Sequence, residues 1–90
     1  MAAPYRILPR CIAALRQIKA IHSRRDYNLL IRTLNRIAAN PMLQGSGVSY
    51  HDPAHPDARF YRIPQLPKFM VFHRIGDDGM VEFTDVWHTL

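Results

Sequence analysis

Three strand-like runs follow one another between Ala58 and Leu90, and they leave little freedom in how the chain folds. They read ARFYRIP, KFMVFHRI and MVEFTDVWHT, with Gly76-Asp77-Asp78-Gly79 between the second and the third. In the middle run Phe69, Val71, His73 and Ile75 alternate with Met70, Phe72 and Arg74, which is the period of a strand. Asp-Gly accepts the positive φ of a tight hairpin, and Pro64-Gln65-Leu66-Pro67 turns the chain ahead of it. In the first run Phe60 shares a face with Arg62, while Arg59, Tyr61 and Ile63 share the other. In the last, Val81, Phe83 and Trp87 are expected to face inward with Asp85 among them, and Met80, Glu82, Thr84, Val86 and His88 to face outward. A sheet with one apolar face must cover that face with a second layer.

The preceding segment supplies the layer. Tyr5-Arg6-Ile7-Leu8 reads as a short strand ended by Pro9. Proline suits the first turn of a helix, because its missing N–H would have no partner there. Ile12, Leu15, Ile18 and Ile21 form an apolar stripe, with Arg16 and Lys19 set off from it. Ser23-Arg24-Arg25 interrupts the pattern, and Asp26 is expected to cap a second helix. Tyr27, Leu30, Leu34 and Ile37 follow at steps of three and four, with Arg32 and Arg36 on another face. Asn40-Pro41 stops the helix, since a residue before proline avoids helical angles. Residues 42–57 read as a long loop around Gly45-Ser46-Gly47 and a proline-punctuated run from His51 to Asp57. The order β-α-α-β-β-β predicts an α+β fold, an antiparallel sheet packed against a helical hairpin, as a single domain over residues 1–90.

Charge is divided unevenly along the chain. Residues 1–50 carry eight lysines and arginines against one acid, Asp26, whereas residues 51–90 carry four against six acids. Such a distribution steers acidic partners to the helical half. The single cysteine, Cys11, excludes an internal disulfide and fits a reducing compartment. No apolar run approaches the roughly 18 residues a membrane span needs, and no secretory signal pattern opens the chain. A soluble cytoplasmic protein without cofactor is expected.

From Tyr5 to His88 this architecture resembles the ParE/RelE superfamily of toxins from bacterial type II toxin–antitoxin modules. The local features that carry the resemblance are Lys68-Phe69, the run Met70-Val71-Phe72-His73-Arg74-Ile75, the turn Asp77-Asp78-Gly79, and the ending Val86-Trp87-His88. The ribonuclease branch, similar to RelE, places an arginine one residue after the aromatic that opens the central strand, where this chain has Met70. The resemblance therefore implies the ParE branch, associated with plasmid stabilization, which binds DNA gyrase. It implies a target surface of Tyr61, Arg62, Lys68, Arg74 and His88. It also implies a cognate antitoxin folded over Ile12, Leu15, Arg16, Lys19, Arg32 and Arg36 in a hetero-oligomer. A RelE-like endoribonuclease cutting mRNA on the ribosome is the alternative, and a small basic nucleic-acid-binding or adaptor protein of the same fold is a third reading. The chain ends two residues past His88, where members of the family run on into a short charged tail, as expected of a shortened relative.

Under the nuclease reading the catalytic residues are Arg62, Lys68, Arg74 and His88. RNA cleavage needs a group to take the 2′-OH proton, cations for the phosphate charge and an acid for the leaving oxygen, and histidine exchanges protons near neutral pH. The same four residues also suit structural or binding roles, because strand alternation alone does not bring them together. His51, Asp52, His55 and Asp57 are metal-ligand types at short spacing, but no further soft ligand lies near them and a surface loop without metal is expected. Tyr50, Phe60 and Tyr61 fit core or rim positions better than base stacking. Cys11, early in a helix, is expected to be a buried structural thiol.

Overall fold

The computed structural model describes residues 4–41, 47–48 and 58–89. Strand β1 (Tyr5–Ile7) leads into helices α1 (Pro9–Ile21) and α2 (Arg24–Ala39), followed by β2 (Gly47–Val48), β3 (Arg59–Arg62), β4 (Phe69–Ile75) and β5 (Val81–His88). The sheet has the order β1-β5-β4-β3-β2. The α+β class and the element order match expectation, with β2 added inside the segment read as a loop. The remainder of that segment, including Tyr50, His51, Asp52, His55 and Asp57, lies outside the described residues.

The sheet is mixed rather than antiparallel. β3, β4 and β5 form the expected antiparallel meander, but β1 pairs parallel to β5, with Tyr5 opposite Val81 and Ile7 opposite Phe83. A tight hairpin forces antiparallel pairing on its two strands. β1 shares no hairpin with β5, so its direction follows from the long crossover through both helices. Arg6, Glu82 and Arg74 fall in one row across β1, β5 and β4. Glu82 bridges the two cations, at 3.2 Å from Arg6 Nε and 3.4 Å from Arg74 Nε.

Local chemistry sets the helix ends. Pro9 occupies the first turn of α1. α2 starts one turn earlier than Asp26: Ser23 is its N-cap, and its hydroxyl accepts from the Asp26 N–H at 3.1 Å. Asp26 is thereby placed in the first helical turn, where a negative charge favours the helix dipole. α2 buries Leu30, Leu34 and Ile37, with Tyr27 packed beside them, as its period predicts. On α1 the buried stripe is Cys11, Leu15 and Ile18, whereas Ile12 and Ile21 are exposed. Steps of three fall behind the 3.6-residue turn, so the Ile12-to-Ile21 stripe slips off the buried face at both ends.

Phe69, Val71, Val81, Phe83 and Val86 meet the helices to form the core. Phe83 and Val86 are three apart yet both point into it, because the β4–β5 register shifts between Phe72 and His73. Asp85 pairs with Phe72, Phe83 with His73, and Thr84 is the extra residue. Such a bulge reverses side-chain parity along the strand. Val86 therefore points inward and Trp87 outward, the reverse of strict alternation. Trp87 packs on Phe72 at 4.8 Å on the far side of the sheet.

Candidate functional site

β1 pairs with β5 no further than Phe83, where the Leu8 N–H donates to the Phe83 carbonyl. α1 begins at that point, and its N-terminal half runs beside the remainder of β5. The cleft between them has a volume of about 820 Å³. Arg10, Ala13 and Gln17 line it from α1, Arg62 from β3, Lys68 and Met70 from the start of β4, and Asp85, Trp87 and His88 from β5. The bulge makes this set possible. It exchanges the sides of β5 that Trp87 and His88 take, and the cleft collects side chains from both.

Of the four residues expected at a nuclease site, the fold brings three together. Arg62, Lys68 and His88 line the cleft; Arg74 does not, being held by Glu82 in the cross-sheet row toward the other end of β4. Arg74 thus departs from the expected grouping, because β4 is seven residues long and Arg74 lies near the end away from Lys68, where its side chain pairs with Glu82. Tyr61 is 5% exposed within the core, so it is not part of a target-binding surface. Among the residues expected under an antitoxin, Leu15 is buried in the core, while Ile12, Arg16, Lys19, Arg32 and Arg36 are exposed on the helices.

Met70, the position at which the resemblance implies an arginine in the ribonuclease branch, has an arginine paired across the strands from it. Arg62 is the cross-strand partner of Met70 on β3, and Trp87 is its partner on β5. Directly paired residues on one sheet face have Cβ atoms about 5 Å apart. Arg62 thus stands beside Met70 on the neighbouring strand, and its guanidinium donates to the Pro67 carbonyl at 2.7 Å.

His88 is the histidine that lines the cleft. Its Nδ1 lies 3.1 Å from His22 Nε2, and its Nε2 lies 3.4 Å from Gln17 Oε1. Lys68 Nζ pairs with Asp26 at 2.7 Å and sits 5.5 Å from the centre of the Phe69 ring. The Lys68 ammonium, through its hydrogen bond, holds the Asp26 carboxyl below its usual range. Asp85 is itself satisfied: it accepts from the Val86 N–H at 2.9 Å and from the Trp87 indole N–H at 3.2 Å, with Arg10 Nε at 3.4 Å. A carboxylate so occupied orients Trp87 and Arg10 rather than abstracting a proton. Cys11, buried beneath α1, is pushed up to about 12, chiefly by burial and further by the nearby Asp85 charge, and remains a protonated structural thiol.

His22, Gln17, Arg10 and Asp85 escaped the sequence reading. His22 and His88 are separated by most of the chain, and no local pattern links them. Asp85 carried one signal, a carboxylate inside an apolar alternation, which marks a break in strand register. Among the described residues no group of three or more histidines, cysteines and acids gathers as a metal cluster, and no helix is long and apolar enough to cross a membrane.

No protein-family model matches the chain, and no curated protein sequence matches it. Among solved structures, the fold is similar to a chain of the RelBE2 toxin–antitoxin complex from Mycobacterium tuberculosis. The TM-score is 0.70 at 12% identity, over 99% of this chain and 100% of that one. At this identity the match establishes a shared fold.

Proposed function

We propose that the chain is the toxin of a toxin–antitoxin pair and that it acts as a RelE-like endoribonuclease on mRNA. The observation that carries this reading is the meeting of His88 with Lys68 and Arg62 in one cleft, with Arg10 at its rim. The fold shared with a chain of a toxin–antitoxin complex supports it. In the proposed reaction the 2′-oxygen of the RNA loses its proton to His88 and attacks the adjacent phosphorus. The bond to the 5′-oxygen breaks, and that oxygen takes the proton back from His88 and leaves as a hydroxyl, giving a 2′,3′-cyclic phosphate. Lys68 and Arg62 stabilise the charge that builds on the phosphate oxygens, the kind of interaction worth about 10²–10³ in rate. Proton transfer by His88 contributes about 10²–10⁴. A cytoplasmic location follows from an mRNA substrate, and an acidic antitoxin fits the exposed Arg16, Lys19, Arg32 and Arg36 of the helices.

The test is purified protein added to a translation extract, with cut sites mapped by primer extension. Cleavage that is lost in His88→Ala and Lys68→Ala supports the reading; transcripts left intact by folded wild-type protein refute it. Met70, in place of an arginine, favours the second reading, a ParE-like protein that binds DNA gyrase. Loss of supercoiling in a gyrase reaction with mRNA left whole would establish that one instead.

A further inference from the structure

His22 and His88 form a contact that the cleavage scheme above does not use. His22 caps the C-terminus of α1, its N–H bonded to the Ile18 carbonyl at 2.8 Å. Its ring is fixed edge-on against Phe69, 4.9 Å between centres. The His88 ring meets it at 5.2 Å and 78°, which brings the two nitrogens to 3.1 Å. Two imidazole nitrogens at this distance share one hydrogen: one ring donates and the other accepts. If His22 Nε2–H donates, His88 carries its own hydrogen on Nε2 and presents a hydrogen-bond donor to the cleft. If His88 Nδ1–H donates, Nε2 is bare and presents a base. Gln17, at 3.4 Å from that Nε2, has both an amide oxygen and an NH₂ group and suits either form.

We propose that His22 is a positioning residue for His88, and that the two rings exchange the hydrogen between them and bind their first proton as one unit. This rests on the nuclease reading for its catalytic consequence, and on the contact geometry alone for the proton sharing. In the proposed cycle His88 Nε2 takes the 2′-OH proton while its Nδ1 hydrogen moves toward His22. The pair then gains one positive charge, and the proton returned to the departing 5′-oxygen restores it. A second proton is opposed, because it would place two like charges on touching rings. The neighbours act in the same sense. Burial, Lys68 and His88 lower the proton affinity of His22, and Asp26 on α2 partly offsets them. Around His88 the cleft adds Arg62, Lys68 and the Arg10–Asp85 pair.

Long-range ¹H–¹⁵N spectra of the histidine rings, recorded on the labelled full chain from about pH 8 down to about pH 5, read the coupling directly. The expected result is that His22 and His88 signals respond at shared midpoints, in more than one step. His22→Phe keeps the ring edge on Phe69 and removes both nitrogens; His88 should then titrate in a single, displaced step. His88→Gln reads the same coupling from the His22 side. Independent single-step curves in the wild type, unmoved by either substitution, would overturn the proposal. With RNA as substrate, His22→Phe should lower kcat about tenfold with KM unchanged and displace the pH–rate profile, and His22→Asn, which keeps an amide, should recover part of the loss. Coupled spectra with uncut RNA would defeat the nuclease reading and leave the pair standing. Cut RNA with uncoupled spectra and an undisturbed profile would do the opposite.

Discussion

Replacing Asp85 with asparagine tests how the cleft is held in shape. The residue is 8% exposed and its two oxygens accept from two different donors, the Val86 N–H and the Trp87 indole N–H. Asparagine has one carbonyl oxygen, so one donor keeps its bond and the other faces an NH₂ group. A hydrogen bond to a charged acceptor contributes about 1.5–3 kcal/mol. Trp87 is 46% exposed, so water replaces part of what its indole loses. The Arg10 contact, made by a 59% exposed side chain, adds little. The expected net cost is about 1 kcal/mol, which for a domain of this size lowers Tm by about 4–8 °C. Asp85→Ala removes both acceptors and should cost about 2–3 kcal/mol. The chain has a single tryptophan, so its emission reports this site alone. It should shift to the red in both variants as the ring leaves Phe72. Thermal melts followed by circular dichroism, together with emission spectra, make the measurement. An Asp85→Asn protein that melts with the wild type and keeps its emission would show that the carboxylate does not hold Trp87.

Arg74→Ala should leave RNA cleavage unchanged, because Arg74 belongs to the Arg6–Glu82–Arg74 row, whereas Arg62→Ala should reduce cleavage about 10²-fold or more in the same primer-extension assay. Gly79 has φ of 83° with nothing within 4 Å of an added Cβ, so Gly79→Ala should cost about 1 kcal/mol from backbone strain alone, read by chemical denaturation. His73 is fully buried, and its Nε2 lies 2.9 Å from the Pro41 carbonyl; burial first, and Arg59 after it, lower its proton affinity despite that bond. A histidine lowered in the folded state contributes no penalty above its unfolded value, near pH 6.5. Below that value the unfolded chain takes up the proton first, so stability should fall with pH in denaturant melts, and His73→Phe should flatten the slope.

The sequence by itself determined much of what depends on neighbours along the chain, though the α2 cap fell on Ser23 rather than Asp26 and the buried stripe of α1 on Cys11, Leu15 and Ile18. Pro9 and Asn40-Pro41 bound the helices, Leu30-Leu34-Ile37 marks a buried helical face, and Asp78-Gly79 makes the hairpin; each is legible because its cause lies within a few residues. The basic helical half was legible too, since charge needs no geometry to be counted. Tertiary structure decided the parallel edge strand, the bulge at Thr84 and the cleft. β1 finds β5 across the length of the chain, and the added residue on β5 exists relative to the register of β4. That one residue reverses the sides taken by Val86, Trp87 and His88, turning an expected outward histidine toward His22. Alternation is a rule about a strand taken alone, whereas a catalytic constellation depends on pairing between strands, and pairing energy is shared among residues that no local window contains.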